Sequence, residues 1–225
     1  MTKLFSYDGP LHKFVDKMAN LMILNFLCFL CCIPIVTIGP AITALYYVTM
    51  KMARNEEGGI VRDFFHSFRM NFKQGMVVGL IVVGLGVFLA FDMYYIYQMA
   101  ASGGVFDSIV FGVIAIAIII YLMASTYIFP LLARFENTTK QTIRTAAFLA
   151  IRHLPATLAM IVLAAAPVLM LLGPPGASTL AMLFYFILGV PTVAYFQSSF
   201  LNRIFIQYIP SEPVETEEET EGEEE

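Results

Sequence analysis

Charge is scarce in this sequence, and tryptophan is missing altogether. Only 13% of the 225 residues are Asp, Glu, Lys or Arg, whereas soluble domains carry about a quarter. Hydrophobic residues supply 59%, which excludes an ordinary water-soluble domain and implies a lipid solvent. Without Trp, interfacial anchoring falls to tyrosine, and Tyr94, Tyr95 and Tyr97 are the expected anchors near the outer end of one helix. Cysteine is limited to Cys28, Cys31 and Cys32, all inside one apolar run. That setting argues against a disulfide framework or an exposed redox pair, so they read as small packing residues. His12, His66 and His153 stand apart, without metal-ligand spacing. G-x-S-x-G, Walker A and G-x-G-x-x-G sequences are all absent. The expectation is a protein that is no enzyme and uses no metal, cofactor or nucleic-acid partner.

Long uncharged runs are what the chain does have. They cover residues 18–50, 74–91, 108–133 and 154–202, and about 20 such residues carry a helix across the hydrocarbon. A bilayer offers the backbone no water, and the runs lack the alternation of a barrel, so each is expected to be helical. The implied fold is all-α, a polytopic transmembrane helical bundle with interfacial amphipathic helices. A membrane domain over 1–208 would hold a broken hairpin at 18–53 and spans near 75–98, 108–132, 154–172 and 178–202. In PIVTIGPA, residues 34–41, Pro34, Gly39 and Pro40 are expected to break the helix, with the hairpin turning near Gly39 and Pro40 and Pro40 opening a new helix. Residues 1–17 mix Lys3, Lys13 and Lys17 with Phe5, Tyr7, Leu11 and Phe14, which suits a headgroup surface ahead of the first span. No cleavage signal follows them, so the first run reads as a retained anchor. Nine glutamates fall after residue 210, and 209–225 is expected to be a disordered acidic tail.

Between the first two apolar runs, Val61, Phe64, Phe65, Phe68 and Phe72 recur at helical spacing, with Arg62, Arg69 and Lys73 on or beside the polar side. This amphipathic helix is the candidate membrane-surface or partner-docking element. Gly75, Gly79 and Gly86 share one stripe of the following span and are candidates for close helix packing. A second basic segment around Lys140, Arg144 and Arg152 also runs into a span. Two units thus share one plan, a basic amphipathic helix followed by a membrane hairpin, which suggests a parallel repeat. Asp92 falls roughly 25 Å along its helix at 1.5 Å per residue, close enough to the interface to be solvated. If residues 18–53 enter and return, all 13 Lys and Arg residues are cytoplasmic, as the positive-inside rule favours, and both termini lie inside.

PIVTIGPA (34–41), ALYYV (44–48) and RDFFHSFRMNFKQ (62–74) resemble the YesL family of bacterial membrane proteins. That resemblance extends over nearly the whole chain to about residue 208 and assigns no catalytic or binding residue. It implies a bacterial cytoplasmic membrane location and an association with oligosaccharide uptake. The partners it leads one to expect are the lipid bilayer and a sugar importer or another membrane protein, with a homo-oligomer open. Two functions follow as expectations, an accessory or regulatory component beside such an importer and a small transporter or permease.

Overall fold

The computed structural model describes residues 10–56, 58–100, 105–171 and 173–208. Residues 1–9, the expected outer loop at 102–104 and the acidic segment 209–225 lie outside the described residues. No strand occurs among those described, and six helical stretches are long and apolar enough to cross a membrane.

Helix α1 (Pro10–Cys31) begins earlier than the apolar run, so residues 10–17 continue into the first span as one helix. Pro34 disfavours helical backbone at the residue before it, which ends α1 near Cys31. Thr37 Oγ1 then donates to the carbonyls of Cys31 and Pro34, at 2.7 and 2.8 Å, satisfying acceptors a helix end leaves open. After a 3₁₀ turn at Ile35–Thr37, α2 runs over Ile38–Ala53. The break therefore sits at residues 32–37, not at Gly39 and Pro40. Those two lie within the first turn of α2, where a proline lacks no hydrogen bond because the first amides have no intrahelical acceptor.

A turn through Arg54 and Asn55 leads to α3 (Ile60–Met70), which folds back onto α2. The chain then passes at Asn71 into α4 (Phe72–Ala100). Helix α5 (Val105–Arg134) returns, and α6 (Thr139–Arg152) folds back onto it as α3 does onto α2. Helices α7 (Leu154–Leu171) and α8 (Pro175–Phe184) form the next hairpin. A π-helical turn at Tyr185–Gly189 joins α8 to α9 (Val190–Ile206).

Helix α2 is the centre of the bundle, with ten of its 16 residues buried. One side meets Leu24 of α1 and Phe64 of α3; the other belongs to a cluster with Tyr127, Leu149, Met160 and Phe205. Burial is concentrated at the end of the bundle where the basic residues lie. Every residue from Tyr127 to Leu132 is buried, whereas no described side chain is buried from Leu80 to Gln98 or from Phe106 to Thr126. Helices α4 and α5, at 29 and 30 residues, reach about 45 Å at 1.5 Å per residue, well beyond a hydrocarbon layer of about 30 Å.

The glycine stripe lies at close helix contacts, Gly75 and Gly79 against α2 and Gly86 against α5. Gly39 of α2 abuts Gly75 and Gly79 of α4 so closely that a Cβ built on Gly79 would stand 2.6 Å from the Gly39 Cα. A Cβ on Gly75 would stand 3.0 Å from Pro40, and one on Gly86 would stand 2.5 Å from the Tyr121 hydroxyl. Membrane helices gain van der Waals contact when small residues let backbones approach, and here backbone meets backbone.

Candidate functional site at the basic end

Gln197, Ser198 and Asn202 of α9 face α2. Tyr46 donates to Gln197 Oε1 at 2.6 Å, and Gln197 Nε2 donates to the Met160 carbonyl of α7 at 2.9 Å. Thr49 and Ser198 share a hydrogen bond of 2.9 Å, and Asn202 Nδ2 donates to the Met50 carbonyl at 3.1 Å. Tyr127 and Thr157 join α5 to α7, while Thr157 Oγ1 also donates to the Ala150 carbonyl of α6. Among the described residues no buried side-chain nitrogen or oxygen lacks a partner. Each such bond contributes on the order of 0.6 kcal/mol in a membrane bundle, so their main effect is to fix helix register.

Charged contacts close the same end. Lys51 Nζ lies 2.7 Å from Asp63 Oδ2, tying the last turn of α2 to the first turn of α3. Arg54 pairs with Glu56 at 2.8 Å and donates to Asn202 Oδ1 at 3.1 Å. The hydrogen bond from Arg54 holds the Glu56 carboxyl below the usual glutamate range. Lys17 of α1 donates to Asn55 Oδ1 at 3.0 Å and to the Tyr195 hydroxyl at 3.3 Å, bringing the start of α1 to this end too.

The candidate stripe of α3 divides in the fold. Phe64 is fully buried, stacked on Phe68 with ring centroids 6.2 Å apart. Phe65, Phe68 and Phe72 are half-buried, and Val61 is exposed. The buried face of α3 runs Ile60, Phe64, Ser67, and shares only Phe64 with the expected line. Ile60 and Ser67 were missed because the four phenylalanines dominate the apolar pattern. Arg62, Arg69 and Lys73 are exposed, and Arg62 and Arg69 flank a hollow of about 580 Å³ with Phe65 and Met70. On α6, Thr142, Ala146, Leu149 and Ala150 are buried, while Lys140, Arg144, Phe148 and Ile151 face outward.

Above the polar contacts, between α5, α7 and α9, lies a crevice of about 350 Å³. Its walls include Tyr46, Gln197, Tyr121, Ser125, Thr126 and Tyr185. They combine aromatic faces with uncharged hydrogen-bonding groups, and the volume falls in the lower part of the range for ligand pockets, about 300–1,000 Å³. The π-helical turn borders it, a feature that recurs at functional sites. The three cysteines are free, with Cys28 and Cys32 sulfurs in contact at 3.9 Å.

Comparison with known proteins finds two similarities. Residues 21–93 match the family model DUF624, described as a protein of unknown function. The matched segment contains α2, α3, both sides of the Gly39–Gly79 crossing and the Lys51–Asp63 pair. The chain is also similar to the uncharacterized protein YesL of Bacillus subtilis (strain 168). The two are 25% identical over 164 residues, covering 71% of this chain and 76% of that protein. No solved structure matches. These matches support a YesL-like family of unknown function, in line with the resemblance of the sequence motifs.

Proposed function

We propose that this protein is an accessory membrane component of carbohydrate uptake, working beside an importer with its basic end in the cytoplasm. The observation that carries the reading is the bareness of the α4–α5 hairpin. Beyond the core at the basic end, neither helix has a buried residue among those described. Phe88, Phe91, Ile116 and Ile120 are each at least 60% exposed. Two adjacent apolar helix faces of this kind suit a neighbouring transmembrane helix as well as they suit lipid. The cytoplasmic orientation rests on the positive-inside rule, since Lys51, Arg54, Arg134 and Arg152 all lie on connections at one end. The link to carbohydrate comes from the family resemblance alone.

The crevice favours a second reading. Its uncharged lining next to an irregular helix is also what a small permease would offer a neutral polar solute. Purification from native membranes in mild detergent separates the two. A stoichiometric importer subunit recovered with the wild-type protein, and lost on replacing Phe88, Phe91, Ile116 and Ile120 by alanine, is the expected result. If the protein instead emerges alone or as a homo-oligomer and moves sugar across liposomes, the accessory reading is wrong and the permease reading stands.

A further inference from the structure

A long interval of the second half of the chain carries cations and no acidic residue. No Asp or Glu occurs between Glu136 and Glu212, whereas Lys140, Arg144, Arg152 and Arg203 fall in that interval. In the first half, Lys51 and Arg54 are paired with Asp63 and Glu56. Among the described residues, Lys140, Arg144, Arg152 and Arg203 make no ion pair. Three of these four sit on α6. At 100° per residue, Lys140, Arg144, Phe148 and Ile151 share one arc of that helix, opposite Thr142, Ala146 and Leu149, which pack inward.

Helix α9 delivers the chain to this spot. The Tyr208 hydroxyl lies 3.2 Å from His153 Nε2, and the Arg152 guanidinium lies 5.7 Å from the Tyr208 ring centroid. From there residues 209–225 follow, with nine glutamates and no Lys or Arg. Seventeen residues can extend about 55 Å at 3.3 Å each, while α6, with 14 residues, is about 21 Å long. The acidic segment starts at the C-terminal end of a basic helix and can reach all of it.

We infer that the acidic segment 209–225 docks on the outward face of α6, with its glutamates against Lys140, Arg144 and Arg152. Docked there, it covers the one face of α6 that could otherwise meet anionic headgroups or an acidic partner. The segment is thus a built-in competitor for that face, and the contact is electrostatic, weakening as salt rises.

The test uses the full-length protein in nanodiscs of neutral phosphatidylcholine, treated with a carbodiimide that joins amines to carboxylates in contact, followed by peptide mass spectrometry. An equal mixture of ¹⁵N-labelled and unlabelled protein tells links within a chain from links between chains. The expected product joins Lys140 to a glutamate between Glu212 and Glu225 of the same chain. Its yield should fall about tenfold in molar salt, where the screening length shrinks to about 3 Å. It should fall similarly in the Arg144→Glu, Arg152→Glu double variant, whose altered side chains are exposed. Nanodiscs rich in phosphatidylglycerol should also lower it, by competition for the same arc. Absence of the Lys140 link in neutral nanodiscs, a link only between chains, or a yield unmoved by the double variant would each overturn the inference.

Discussion

Replacing Gly79 by leucine is expected to lower the melting temperature in detergent by on the order of 10 °C, or to leave no monodisperse protein at all. A Cβ there would stand 2.6 Å from the Cα and 2.9 Å from the amide nitrogen of Gly39. Those are backbone atoms and cannot rotate away. Overpacking a tight contact costs about 1–3 kcal/mol and sometimes more, which outweighs the gain of about 1 kcal/mol in helix propensity on leaving glycine. Gly84, five residues further along α4, has no atom within 4 Å of the same built position. Gly84→Leu should therefore keep or slightly raise the melting temperature. Equal losses at both positions would show that helix α4 rejects any side chain, and the crossing would no longer explain the effect.

Phe64→Ala is expected to destabilise the protein by about 3–5 kcal/mol, the range for truncating a buried aromatic residue. Phe64 is fully buried against α2 and stacked on Phe68, so the hole left behind has packed walls. Val61→Ala, at a position 48% exposed, should stay within about 0.5 kcal/mol of the wild type. Thermal melts in detergent, with folded protein counted by size-exclusion fluorescence, would check both. Similar losses for the two variants would mean that α3 is held by lipid along its whole apolar face and not by α2.

Much of the architecture is legible in the uncharged runs, because a span is long and its composition is under one strong constraint. Six apolar stretches and the hairpin turn at Gly173–Pro174 could be read this way. Where helices start and stop within residues 18–53 was harder, since Pro34, Gly39 and Pro40 lie within seven positions and each can end a helix. Only the hydrogen bonds from Thr37 show that Pro34 ends one helix and Pro40 belongs to the next. The glycine stripe on α4 announced a close contact, but its partner Gly39 lies about 40 residues away and nothing local points to it. On α3 the apolar pattern points to Phe64, which is buried, but not to Ile60 or Ser67 beside it, because the phenylalanines outweigh one isoleucine and a serine in any apolar pattern. In sequence, Gln197, Ser198, Ser199 and Asn202 give α9 a polar end. That Gln197, Ser198 and Asn202 bond to Tyr46, Thr49 and the Met50 carbonyl depends on α2 and α9 lying side by side, which periodicity within one helix does not encode.

A six-span bundle with its basic end in the cytoplasm is the frame on which the functional reading rests, and side-specific labelling tests it most directly. In a background with Cys28, Cys31 and Cys32 replaced by alanine, single cysteines would be placed at Glu136, between α5 and α6, and at Gly176, near the α7–α8 turn. Both positions are exposed. The orientation proposed here predicts that a membrane-impermeant maleimide added to intact cells labels Gly176→Cys, and labels Glu136→Cys only after the membrane is opened. Labelling of Glu136→Cys in intact cells, with Gly176→Cys protected, would contradict it.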